Sequence, residues 1–226
     1  MLNNYLLFLE IIVCFSGVIL FFKAFGRIGL TAWIAVASIL ANIVTAKTSN
    51  ILGLDAAQGT VLFASTFLAT DILCERYGRK AATTGILVGL CASVSLVCAM
   101  QIALLYVPVE YDYANEPMAT LFALNLRITV SSIVMYAISN IADVYVFEAI
   151  RKATRGKYLW IRNNVATILC NCLENFGFIF LAFLGVYDAR TCFEIAIATS
   201  IVEIVAAVCD TPFAYIGRRI SPWSDR

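Results

Sequence analysis

Histidine is absent from all 226 residues, which removes the commonest proton relay and the commonest transition-metal ligand. Charge is scarce too. Only 14% of residues are Asp, Glu, Lys or Arg, against about 25% in a soluble domain, while 62% are hydrophobic. No Lys or Arg precedes Lys23, so the apolar amino-terminal run lacks the basic flank of a secretory signal. With no small-residue cleavage site after it, that run reads as a retained helix. There is no Walker motif, so any use of ATP would come from a partner. The 16 basic and 15 acidic residues nearly cancel, leaving no global field to draw nucleic acid. Most of the eight cysteines (14, 74, 91, 98, 170, 172, 192 and 209) fall in apolar runs, where thiols act as small hydrophobes. Cys170-Asn-Cys172 has neither a second pair nor a histidine to complete a metal site. Neither a disulfide framework nor a resident metal or cofactor is expected.

What the chain has is apolar length. Seven segments can each cross ~30 Å of hydrocarbon as a helix: about 5–25, 28–47, 57–75, 81–106, 121–149, 161–187 and 194–217. The connections are short, so the expected fold is an all-α polytopic transmembrane bundle without a soluble domain. The basic residues alternate between connections. Lys23 and Arg27 mark the first; Arg76, Arg79 and Lys80 the third; Arg151, Lys152, Arg155 and Lys157 the fifth; and Arg218, Arg219 and Arg226 the tail. The other connections are basic-poor. Retention of positive charge in the cytoplasm then places the amino terminus outside and the carboxyl terminus inside.

Against that apolar background, acids inside the spans stand out. A charge at a bilayer centre costs roughly 2.5–3.5 kcal/mol on insertion scales, so each acid marks a candidate functional position. Asp71 and Glu75 lie four residues apart on one face of the third segment. The fifth and sixth segments echo each other. Asn140 precedes Asp143 by three, Asn171 precedes Glu174 by three, and aromatics follow in both. The seventh segment adds Glu203 and Asp210 on one stripe, with a break expected at Asp210-Thr211-Pro212. Amides and acids of this kind can hydrogen-bond one another and pin helices together. Four helices each carrying an acid, with few cations inside the spans, also suit a polar cavity. Its ligand would be a donor-rich solute or a cation. A guanine-like ring offers an adjacent N–H and amine to a carboxylate, an amide can serve its carbonyl edge, and Phe67 could stack on it.

Several blocks carry a resemblance: Asn42-Ile-Val-Thr45-Ala-Lys47, Phe67-Leu-Ala-Thr-Asp71-Ile-Leu-Cys-Glu75-Arg-Tyr-Gly78, Ser139-Asn-Ile-Ala-Asp143-Val-Tyr-Val-Phe147 and Leu159-Trp-Ile-Arg162-Asn. Together they resemble the queuosine-precursor transporter family, formerly called the vitamin uptake transporter family, over about residues 28–217. The resemblance implies a non-enzymatic carrier of the bacterial inner membrane. It would import a 7-deazaguanine (the 7-cyano or 7-aminomethyl compound, or queuine) for salvage of queuosine in tRNA. It also implies that Asp71, Glu75, Asn140, Asp143, Asn171 and Glu174 line the substrate path, with Asn42 and Thr45 as lesser candidates; apart from the resemblance, the buried acids Glu203 and Asp210 are the coupling candidates. This chain departs from the family pattern at Asn140, where Gln is usual, and at Glu174, where Asp is usual. Residues 1–27 read as an additional helix before a six-helix core at 28–217, with 218–226 as a cytoplasmic tail. Membrane lipid is an expected partner and a homodimer stays open. The rival reading within transport is the substrate-binding subunit of an energy-coupling-factor transporter, which depends on a separate ATPase. An intramembrane aspartyl protease would need a Gly-x-Gly-Asp motif that is missing, and a purely structural bundle would tolerate loss of its buried acids.

Overall fold

The computed structural model describes residues 2–45, 47–51, 53–122 and 126–223. The chain forms a helical bundle: α1 (Leu2–Val44), a small hairpin of β1 (Thr48–Ile51) and β2 (Leu54–Ala57), α2 (Thr60–Tyr77), α3 (Arg79–Leu104), a short α4 (Asn115–Phe122), α5 (Leu126–Ala153), α6 (Leu159–Phe183) and α7 (Ala189–Arg219). Five of these helices are long and apolar enough to cross a membrane. They present a broad apolar exterior, including Leu9, Val13, Leu20, Ile28, Leu169 and Val208, each more than half exposed. In water such a surface would be a defect; around a spanning bundle it faces lipid tails.

α1 spans 43 residues but is two helices joined at Gly26, whose φ of 57° and ψ of −133° leave the helical region. A side chain there would meet the left-handed penalty that glycine escapes. The two arms fold back on each other. The rings of Phe21 and Trp33 lie 5.3 Å apart, and a Cβ on Gly17 would sit 2.3 Å from the Trp33 ring. The expected first and second spans are these arms. The second arm stops at Val44, short of the expected 47, because the chain turns into the β1–β2 hairpin, where Thr48 pairs with Ala57 and Gly53 takes φ 82°. The sequence reading of an all-helical chain did not include that hairpin.

α2 sits at the centre. Of its 18 residues, Thr60, Val61 and Ala64 to Cys74 are buried, and α1, α3, α5 and α7 surround it. Buried on nearly every face, polar residues included, it has little side to give to water or lipid. The break expected at Pro212 does not occur, since α7 continues to Arg219. Proline there leaves one carbonyl without its donor, but flanking contacts hold the helix in line. Asn163 bonds Asp210, Asn164 donates to Thr211 Oγ1 at 2.6 Å, and Phe213 packs edge-on against Phe15 at 5.4 Å. The amino-terminal arm is thus built into the core: Phe15, Val18 and Phe22 have no exposed surface.

Candidate functional site

Three layers stack along the central helices. The first is a cavity of about 380 Å³, within the size range of small-molecule sites. α2 supplies Thr60, Phe63, Ala64 and Phe67, successive turns of one face; α6 supplies Asn171, Glu174, Asn175 and Phe178; α7 supplies Ile195, Thr199 and Glu203. Asn42 and Thr45 close one side and also line an adjoining recess of about 260 Å³. The two carboxylates are held from behind. Ser139 of α5 donates to Glu174 Oε2, and Asn175 donates to Glu203 Oε2 at 2.7 Å. Asn42 points its amide to Ser38 O at 2.7 Å. Phe63, Phe67 and Phe178 give the cavity aromatic walls.

One turn beyond Phe67 the second layer begins. Asp71 of α2 and Asp143 of α5 bring their carboxyl groups within hydrogen-bonding reach of each other, and Asp210 of α7 lies within electrostatic range of both. Asn163 of α6 donates to Asp210 Oδ1. Asn163, Thr167 and Asn171 follow at four-residue spacing, so α6 presents one polar stripe running from Asp210 up to the cavity. Asp71, Asn140, Asp143, Asn163, Thr167, Asn171 and Asp210 all have 2% or less of their surface exposed.

The third layer closes the far end. Glu75, a further turn along α2, meets Arg162 Nη2 at 2.7 Å, Arg218 Nε at 3.4 Å and Arg151 Nε at 3.7 Å. One carboxylate thereby ties α2 to α5, α6 and α7. Arg76 reaches the carbonyl of Arg218 at 3.1 Å, and Arg79 pairs with Glu148 at 3.4 Å, so the basic third and fifth connections and the tail share one end of the bundle.

The residues singled out in the sequence therefore separate. Asn42, Thr45, Phe67, Asn171, Glu174 and Glu203 line the cavity; Asp71, Asp143 and Asp210 lie in the buried layer below it; Asn140 is buried one turn before Asp143 on α5, its amide on the Tyr136 carbonyl; Glu75 is placed among arginines. Sequence reasoning missed Asn175 and Asn163, although each stands beside a residue it had marked. Arg162 stands in the first turn of α6 and its side chain is fully buried. Among the described residues no group of three or more His, Cys, Asp and Glu converges closely enough to hold a metal ion.

Comparison with known proteins gives the same direction. Residues 57–217 match the family model described as "Putative vitamin uptake transporter". A Bacillus subtilis protein named "Probable queuosine precursor transporter" is 33% identical over 227 aligned positions, covering 100% of this chain and 99% of the relative. The Escherichia coli "Queuosine precursor transporter" is 28% identical over 143 positions, 62% of this chain and 61% of the relative. No solved structure matches. With most of its length inside the family model and a relative aligned from end to end, the chain belongs to the vitamin uptake transporter family, the family its motifs resemble.

Proposed function

We propose that this protein is a queuosine-precursor transporter that takes a 7-deazaguanine into the cell and binds it in the cavity between α2, α6 and α7. The observation that carries the reading is the pair of cavity carboxylates, Glu174 and Glu203, each oriented by a neighbouring hydroxyl or amide. A 7-deazaguanine presents an N–H beside an exocyclic amine, two parallel donors that one carboxylate accepts together. Asn171 serves the carbonyl edge, and Phe67 and Phe178 flank the flat ring. The alignment with two bacterial relatives of that name supports the substrate class.

The carrier works in the bacterial inner membrane with its carboxyl terminus in the cytoplasm, since retained positive charge gathers at the Glu75 end. The cavity then faces the outer half of the bilayer, and the ion cluster around Glu75 seals the inner end. Import requires that seal to part, so that the cavity opens alternately to the two sides.

The purified full-length chain in liposomes should take up a radiolabelled 7-deazaguanine without any ATPase partner, and Glu174→Gln should lose most of that uptake. Wild-type uptake by Glu174→Gln would reject this cavity as the binding site. Binding without uptake would instead identify a substrate-binding subunit.

A further inference from the structure

Beneath the cavity lies a buried polar centre that shares only Asn171 with substrate recognition. Nine buried oxygen atoms on four helices meet no donor from the described residues: both of Asp71, both of Asp143, Oδ2 of Asp210, Oδ1 of Asn140, Asn163 and Asn171, and Oγ1 of Thr167. Buried acceptors left in this way cost about 1–3 kcal/mol each, more when charged, so native interiors rarely gather so many. The chain's own cations do not come to them. Among the described residues every ion pair falls on Glu75, Glu148 or Glu194.

We propose that the facing carboxyl groups of Asp71 and Asp143, with Asp210 in electrostatic range and unmet amide oxygens on the helices around them, form a coupling site for a monovalent cation, Na+ or a proton, beneath the substrate cavity. This rests on the transport reading above. The donor set is all oxygen: carboxylate, amide carbonyl and hydroxyl, the chemistry of a hard cation. Among the described residues no three acids converge to hold a metal ion, so the centre of the site is the facing pair Asp71 and Asp143, whose charge a single positive ion answers. The site lies between the cavity and the Glu75 seal, one turn of α2 from each. Asn171 belongs to both layers, lining the cavity and carrying one of the unmet oxygens, so occupancy of either site is felt by the other.

The titratable groups facing this centre are few. Asp71 faces Asp143 from α5, Asp210 from α7 and Cys74 on its own helix; Asp143 faces Cys170 from α6, and Asp210 faces Cys209. A cation that neutralises the centre lowers the cost of moving it through the closed middle of the bundle, which couples its movement to that of the substrate.

Two measurements on the full-length chain test this. In proteoliposomes at zero membrane potential, a tenfold inward gradient of Na+ or of protons should drive substrate up to about tenfold above equilibrium, as one-to-one coupling requires. The Na+ arm and the pH arm identify the ion. On purified protein, binding of radioactive 22Na+, or proton uptake in a weakly buffered solution, should be present in the wild type and lost in Asp143→Asn. Substrate binding by that variant shows that it is folded. Substrate that equilibrates under both gradients without accumulating would overturn the coupling site. So would the absence of both Na+ and proton binding. If the substrate itself does not bind, the transport reading fails, and direct cation binding still decides this proposal.

Discussion

Arg162 and Glu75 form a 2.7 Å ion pair in which the arginine side chain has no exposed surface and the carboxylate only 9%. Arg162 stands in the first turn of α6, also donates to the carbonyls of Gly156 and Lys157, and lies 5.5 Å over the ring of Phe147. The other two arginines that reach Glu75 are different in kind: Arg151 is 38% exposed and Arg218 45%.

The three partners should therefore separate in a stability measurement. Arg162→Met takes from the Glu75 carboxylate its one fully buried partner, a loss of about 3–5 kcal/mol. Arg151→Ala or Arg218→Ala removes a half-exposed pair and should cost about 1 kcal/mol or less. Thermal unfolding in detergent reads the difference. Equal shifts for all three variants would mean that Arg162 has no special place in the seal.

The residues behind the cavity carboxylates should tune affinity. Ser139→Ala takes the donor from Glu174, and Asn175→Ala takes it from Glu203. A hydrogen bond to a charged group contributes about 1.5–3 kcal/mol, so each variant should weaken substrate binding roughly tenfold or more. Equilibrium binding on purified protein is the measurement. Unchanged affinity in both would show that the carboxylates are positioned by something else.

Two glycines make opposite predictions. A Cβ on Gly29 would lie 2.1 Å from the backbone oxygen of Phe21, which cannot move without opening the α1 fold-back. At Gly177 the nearest atoms are the end of Met135, Cε at 2.2 Å and Sδ at 2.6 Å, and that flexible chain can swing aside. Gly29→Ala should lower the yield and melting temperature of detergent-solubilised protein, while Gly177→Ala should change them little. The reverse order would argue against the tight crossing at Gly26.

How far the sequence revealed these features depended on length scale. Apolar runs announce spans because lipid demands about twenty residues, so both arms of α1 were legible even though Gly26 bends them into one element. The β1–β2 hairpin rests on a few residues in a connection, where no periodicity can build up. Spacing placed Asn171 and Glu174 on one face, and they share the cavity. Yet spacing says nothing of depth across helices. Asp71 is set against Asp143, while Glu75, only one turn away, goes to arginines, because partners on α5, α6 and α7 decide each fate. Arg162 illustrates the limit best: a charge at a helix start normally reaches water, and only the carboxylate of another helix explains its burial.

The loop before α7 gives a pH prediction at an exposed position. Asp188 is the N-cap of α7: its carboxylate accepts from the backbone N–H of Arg190 at 3.1 Å and of Thr191 at 3.3 Å, and from the Thr191 hydroxyl. Those bonds, the hydroxyl's first, hold its carboxyl below the ordinary Asp range. Because the folded-state value is the lower one, the cap contributes in full above the unfolded value, near pH 4, and is lost as the pH falls through the folded value. The amides of Arg190 and Thr191 should therefore stay protected from solvent exchange at neutral pH and lose protection in acid. Asp188→Asn keeps an acceptor oxygen but no titration, so its protection should not change over that range. Asp188→Ala should fray the first turn at every pH. NMR of 15N-labelled protein in micelles follows both amides directly. Protection in Asp188→Ala equal to the wild type at neutral pH would show that the carboxylate does not cap the helix.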